Sequence, residues 1–205
     1  DPDAPFIALL MGDAKGYDAW GRQIAAGDWI GRDVFYQAPL YPYFLGLVYA
    51  AAGHHVLAVR AVQIVLGSVS CALLAHTALR LFSRPAAIAA GALLALYAPA
   101  VFFDGLIQKT SIDAFLTSLG VWIIGGLIAD GSTRRRWAAL GTTMAALSLT
   151  RENALALVGV ILFWCLAGTR QGVPAGVHAG LPAPTPSPRG VRDRKSTRLN
   201  SSHRT

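Results

Sequence analysis

Charge is scarce in this chain. Asp, Glu, Lys and Arg supply 14% of its 205 residues, against about a quarter in ordinary soluble domains, while 54% are hydrophobic. So little charge fits a lipid environment better than a water-exposed surface. Cysteine is nearly absent: Cys71 and Cys165 both lie inside apolar blocks, with no CxxC and no His at metal spacing. That excludes a cysteine-built metal site and reads both as small buried hydrophobes. His54 and His55 have no carboxylate or cysteine beside them in sequence, which argues for interfacial residues over metal ligands. The basic C-terminal run DRKSTRLNSSHRT lacks interleaved aromatics, so it offers no stacking platform for single strands. The net charge of +7 is therefore no nucleic-acid signal. No cleavable signal peptide is visible, and the first residue is Asp in what reads as a loop. A fragment of a larger protein is expected, inactive by itself.

The apolar residues are gathered in blocks: Leu57 to Phe82, Pro85 to Phe103, Gly105 to Ala129 and Trp137 to Gly168. A bilayer core takes about 20 apolar residues per helical span. The first three blocks reach that length, and the fourth, broken at Arg151, Glu152 and Asn153, holds two short helices. Helices are predicted at 57–80, 85–102, 106–129, 136–149 and 154–168. The fold class is all-α, a polytopic transmembrane bundle of about five spans. Small-xxx-small pairs Gly67/Cys71, Gly91/Ala95 and Gly141/Ala145 suit close helix packing in lipid.

The first 56 residues read differently. In DAKGYDAWGRQIAAGDW, Tyr17, Trp20, Ile24 and Ala25 share a helical face and Asp18 pairs with Arg22, until Gly27-Asp28 ends the helix. It reads as an amphipathic helix on the membrane surface. The stretch VFYQAPLYPYFLG then sets Pro39 and Pro42 among aromatics, as a loop re-entering lipid would. Residues 40–52 are apolar but too short to span, and Gly53 closes them. The division is thus 1–56, outer loop and re-entry segment; 57–168, helix bundle; 169–192, a Pro/Ala/Gly-rich flexible segment. Residues 193–205 are a tail whose DRKSTRLNSSH resembles a translated sequencing adapter, so Asn200-Ser201-Ser202 is not read as a glycosylation signal.

Arg80 and Arg84 flank one turn, Arg134 to Arg136 another, and Arg170 follows the last helix. Five spans put all of them on one side, cytoplasmic by the positive-inside rule, although the total Lys/Arg count is nearly balanced. Most acids fall on the other side, where chemistry is expected. Ionisable groups near membrane depth are functional candidates by default. They are Asp13, Arg60, Asp104, Lys109, Asp113, Arg151 and Glu152. Each has a plain alternative. Asp13 reads as a helix N-cap, Lys109 and Asp113 as an i,i+4 pair that neutralises itself, Arg60 and Arg151 as snorkelling cations. The sharper reading gives the cations a phosphate and the carboxylates a proton.

The segments DAKGYDAWGRQIAAGDW, FYQAPLYPYFLG, AVRAVQIVLGSVSCALL, FFDGLIQKTSIDAFL and LTRENALAL, in that order, resemble the GT-C membrane glycosyltransferases. The resemblance is to the bacterial family 39 group, relatives of protein mannosyltransferases and lipid A aminoarabinose transferases, and covers about residues 10–168. It implies a polyprenyl-phosphate sugar donor, inverting transfer, a bacterial inner membrane setting and an active site facing the periplasm or exterior. It places a general base at Asp13, where relatives carry an Asp-Glu pair and this chain has Asp13-Ala14, so Asp104 or Asp113 is a candidate to share the role. Lys109, Arg60 and Arg151 are the implied donor-phosphate cations, and Tyr17, Gln37 and Asp113 the implied substrate contacts. The acceptor is not identified, nucleic acid is not a partner, and a divalent metal is left open as the one cofactor. A different class of function is a transporter or scaffold whose intramembrane charges form a pathway. The long acidic, aromatic outer loop favours the transferase, as does the lack of an evident inverted repeat.

Overall fold

The computed structural model describes residues 12–30 and 37–168, with side chains through Trp164. Val34 to Tyr36, the 169–192 segment and the adapter-like tail lie outside the described residues. The chain divides into two compact units, Asp1–Phe163 and Trp164–Thr205; of the second, Trp164–Gly168 are described, as the end of the last helix. All the regular structure among the described residues is helical: α1 Asp13–Ala25, α2 Leu40–Ala52, α3 Val56–Leu81, α4 Arg84–Ala95, α5 Ala98–Asp104, α6 Thr110–Ala129, α7 Arg134–Ser148 and α8 Ala154–Gly168. This is a helical membrane bundle.

Two of these helices, α3 and α6, are long and apolar enough to cross a membrane by themselves. Only 17% of the apolar window of α3 is buried within the protein, so most of its surface is left for lipid. The predicted span at 85–102 is two helices, α4 and α5, bent by 53° at Leu96-Tyr97. The cause is Pro99, which has no N–H to donate back to Ala95 and so stops the ladder there. The predicted helix at 106–129 starts at Thr110 instead, after a non-helical stretch at 105–109. Gln63, fully buried on α3, supports that stretch. Its amide donates to the Leu106 carbonyl (2.9 Å) and to Ser111 Oγ (3.0 Å), and its carbonyl accepts from Tyr41 Oη (3.3 Å). Irregular backbone at membrane depth persists only where protein groups replace water, and Gln63 is such a group.

Helices α3 and α6 run parallel. Gln63 meets Ser111 near their starts, and Arg80 meets Asp130 at their ends. The α4–α5 pair returns along α3, and α7 runs back along α6, with Met144 packed against Gly120. The bundle therefore has two distinct ends. One gathers Arg80, Asp130 and Arg136; at the other, the Leu40 N–H donates to the Leu149 carbonyl and ties the re-entry segment to the turn after α7. The expected small-residue contacts hold in part. Gly91 lies against Ala75 and the Cys71 carbonyl, whereas Gly141 has nothing packed on it among the described residues.

Helix α1 is not isolated on a surface; it packs parallel to α2. Tyr17 sits edge-on to Tyr41 with ring centroids 5.0 Å apart, and Gly21 and Gly46 let the two backbones close. A Cβ on Gly46 would lie 2.5 Å from Ile24 Cγ2 and 2.8 Å from Ile24 Cβ. Gly46→Ala is therefore expected to destabilise by about 1–3 kcal/mol, the usual cost of overpacking, and to free α1. Limited proteolysis in the linker between α1 and α2 checks this: cleavage should accelerate in the variant, and an unchanged rate would refute the packing.

The expected Asp18–Arg22 pair forms at 3.0 Å, but Asp18 is also buried and does more. Tyr49 Oη donates to its Oδ1 (2.7 Å) and His54 Nε2 lies 2.8 Å from the same oxygen. Burial alone would raise this carboxyl; the bonds from His54 and Tyr49 and the Arg22 charge outweigh it and hold the group below the usual carboxylate range. His54, expected to have no carboxylate nearby, thus closes the α1–α2 unit through one. Spatial neighbours 36 residues apart are not visible as sequence neighbours.

Candidate functional site

Asp13 is the first residue of α1, one position past Gly12, which holds the N-cap place without a side-chain cap. The N-cap reading of Asp13 is therefore corrected. Its exposed carboxylate instead accepts a hydrogen bond from Gln37 Nε2 at 3.1 Å, so the start of α1 and the entry to α2 meet there. Pro39 supplies the N-cap position of α2 and Pro42 lies in its first turn, where no intrahelical donor is lost. The two prolines fix the approach of Gln37.

Tyr17 stands one helical turn beyond Asp13, on the buried face. Burial pushes its phenol above the ordinary value, the charges of Asp13 and Asp113 push the same way, and Arg151 pulls against them. Asp13, Asp113 and Arg151 are therefore each within electrostatic reach of Tyr17, although they come from α1, α6 and the turn before α8. Asp113 lies in the first turn of α6, almost buried, and its Oδ2 binds Arg151 Nε at 2.5 Å. The anticipated Lys109–Asp113 pair is not the one that forms. Geometry explains this: Lys109 occupies the N-cap position of α6, and Arg151 reaches across from the α7–α8 turn. Asp113 Oδ1 is buried and has no hydrogen-bond partner among the described residues.

The remaining candidates are placed less centrally. Lys109 is half-buried at the start of α6, and Arg60 is half-buried on α3 one turn before Gln63. Glu152 is exposed beside Arg151. Asp104 ends α5 against the middle of α3, where its carboxylate fills the space that Gly67 leaves open and faces Cys71. Among the described residues, no hydrogen bond or ion pair joins Asp104 to Asp13 or Asp113. Gln63, passed over in the sequence, belongs to the scaffold of this end, because it links Tyr41 to the stretch that carries Lys109. A glutamine inside an apolar helix was the available signal.

Chemically, the assembly offers an accessible carboxylate oriented by an amide, a neutral phenol, a carboxylate oxygen unpaired among the described residues and the Arg151 guanidinium. No group of three His, Cys, Asp or Glu side chains among the described residues is arranged to hold a metal. The chain matches a family described as dolichyl-phosphate-mannose-protein mannosyltransferase over residues 36–178, more than half its length. It belongs to that family. The family is one of membrane glycosyltransferases of the GT-C type, in agreement with the helical bundle and its apolar spans. The matched stretch includes Gln37, Arg60, Asp104, Lys109, Asp113 and Arg151, whereas Asp13 and Tyr17 lie before it. Neither a curated protein nor a solved structure matches the chain.

Proposed function

We propose that this chain carries the catalytic end of a membrane enzyme that moves a sugar from a polyprenyl-phosphate donor to an acceptor hydroxyl, with inversion. The observation that carries the proposal is the convergence of Asp13, Gln37, Tyr17, Asp113 and Arg151 at one end of the bundle, opposite the arginine-rich end. By the positive-inside rule that end faces away from the cytoplasm, toward the periplasm or exterior of a bacterial inner membrane.

In the reaction, the acceptor oxygen attacks the anomeric carbon while the bond to the donor phosphate breaks. The phosphate leaves with the electron pair, and Asp13 takes the acceptor's proton. A hydroxyl is a weak nucleophile until that proton is removed, so a carboxylate within reach is the first need. The second is positive charge where the leaving phosphate gathers electrons; Arg151, Lys109 and Arg60 are assigned to it. Asp113 Oδ1 and the Gln37 amide are left to orient sugar hydroxyls, with Tyr17 as the wall between them. Asp104, deeper against Gly67, is a second carboxylate candidate.

The test is transfer from a labelled polyprenyl-phosphate sugar in membranes holding the full reading frame. Lys109→Ala should raise the donor KM roughly tenfold or more, as loss of a charge-assisted phosphate contact does, with a smaller effect on kcat. An unchanged donor KM would remove Lys109 from the phosphate site.

A further inference from the structure

The other end of the bundle has a construction of its own. Arg80 Nη1 (3.4 Å) and Arg136 Nη2 (2.8 Å) bind the same oxygen of Asp130. Arg136 Nη1 also donates to the carbonyls of Gly126 and Gly131, both at 2.8 Å. Arg80 lies over the Trp122 ring, 5.5 Å from its centroid, and Trp122 Nε1 donates to His76 Nδ1 at 2.7 Å. Gly126 makes room for this, since a Cβ there would stand 3.1 Å from Arg80 Nη1. Arg80, Trp122 and Arg136, together with Arg135, line a cleft of about 270 Å³ between α3, α6 and α7.

One carboxylate cannot neutralise this group. Asp130 offsets one guanidinium, so Arg80, Arg135 and Arg136 leave two positive charges around the cleft. A plain helix-end clamp would need one arginine. Here two are pinned, one by backbone carbonyls and one by a ring, and both remain about a quarter to a third exposed (26% and 31%). Pinned guanidiniums lose little entropy on meeting an anion, and their donors match phosphate oxygens. The position points to lipid. The cleft opens at the ends of apolar helices, where headgroups lie, and Leu79, Phe82 and Ile128 at that same end are exposed. Its volume suits a headgroup rather than a larger ligand, falling just below the ~300 Å³ of typical small-molecule sites.

We propose that this cleft binds the phosphate of an anionic lipid headgroup from the leaflet opposite the catalytic end. Basic pockets between transmembrane helices on the cytoplasmic side serve this purpose elsewhere. The site is separate from the donor-phosphate site and does not depend on the transfer reaction.

The experiment is native mass spectrometry of the whole chain in detergent, with dioleoylphosphatidylglycerol, dioleoylphosphatidylcholine or inorganic phosphate added. Phosphatidylglycerol should be retained about tenfold over phosphatidylcholine, and millimolar inorganic phosphate should not displace it. Each arginine near a lipid surface is worth about fivefold, so Arg80→Gln and Arg135→Gln should each lower retention by that factor. Arg135 forms no ion pair among the described residues, so Arg135→Gln keeps the test valid if Arg80→Gln fails to fold. Asp130→Asn should raise retention, because it removes the carboxylate charge that offsets the cleft's Arg80 and Arg136. Equal retention of the two lipids, or wild-type retention by Arg135→Gln, overturns the proposal. Full displacement by inorganic phosphate overturns its lipid part and leaves a site for free phosphate.

Discussion

Asp13→Asn should reduce sugar transfer by about 10²–10⁴-fold, the usual cost of losing a general base, while the protein stays folded and still binds donor. The expectation of a folded variant rests on geometry. Gly12, not Asp13, holds the N-cap position, so the substitution removes no cap. Asparagine keeps the size of the side chain and an oxygen that can accept the Gln37 amide proton, now at 3.1 Å from the carboxylate. What is lost is the site that takes a proton. Tyr17, the nearest alternative, does not replace it: its phenol is pushed above its ordinary value by burial and by two carboxylates, so it stays protonated at neutral pH. Donor binding should persist, since the cations assigned to phosphate are untouched. Single-turnover transfer and donor binding, measured on the same membranes, separate the two effects. Near wild-type turnover in Asp13→Asn with abolition in Asp104→Asn would move the base to Asp104 beside Gly67. If neither substitution slows transfer, both carboxylates are structural.

How far the sequence anticipated this arrangement depends on what each residue signals locally. The bounds of α3 were predictable to within a residue, because a long apolar run closed by Phe82-Ser83 has few alternatives. The α4–α5 break was present in the sequence as Pro99, but apolar length was read ahead of the missing donor. The delayed start of α6 was not legible, because it depends on Gln63, 43 residues before Leu106, supplying the hydrogen bond that helix would otherwise provide. The Asp18 cluster was half legible. Its i,i+4 pair with Arg22 follows from helical spacing, while Tyr49 and His54 arrive through the parallel packing of α1 on α2, which no local pattern specifies. For the site, the residue types were visible and the partnerships were not. Lys109 and Asp113 have the right spacing to pair, yet Arg151 from a distant turn forms the closer bond.

That bond makes Arg151 the second position where a large effect is expected, and it should appear in stability as well as in transfer. The two partners differ in exposure: the Asp113 side chain is 10% exposed and that of Arg151 51%. Removing Arg151 leaves a nearly buried carboxylate whose Oδ1 already lacks a partner among the described residues. Stripping one member from a buried ion pair costs about 3–5 kcal/mol, and the half-exposed arginine reduces that here to about 2–3 kcal/mol for Arg151→Gln. Asp113→Asn should cost clearly less, because the arginine it abandons can turn to water. The double variant Asp113→Asn/Arg151→Gln should recover most of the stability lost in Arg151→Gln, since no uncompensated charge then remains. Thermal unfolding in detergent measures all three, and equal losses in the two single variants would contradict the asymmetry. Transfer activity separates strut from donor contact. A double variant that regains stability but still binds donor weakly has lost a phosphate cation. One that regains both shows that Arg151 served only to hold Asp113 at the start of α6.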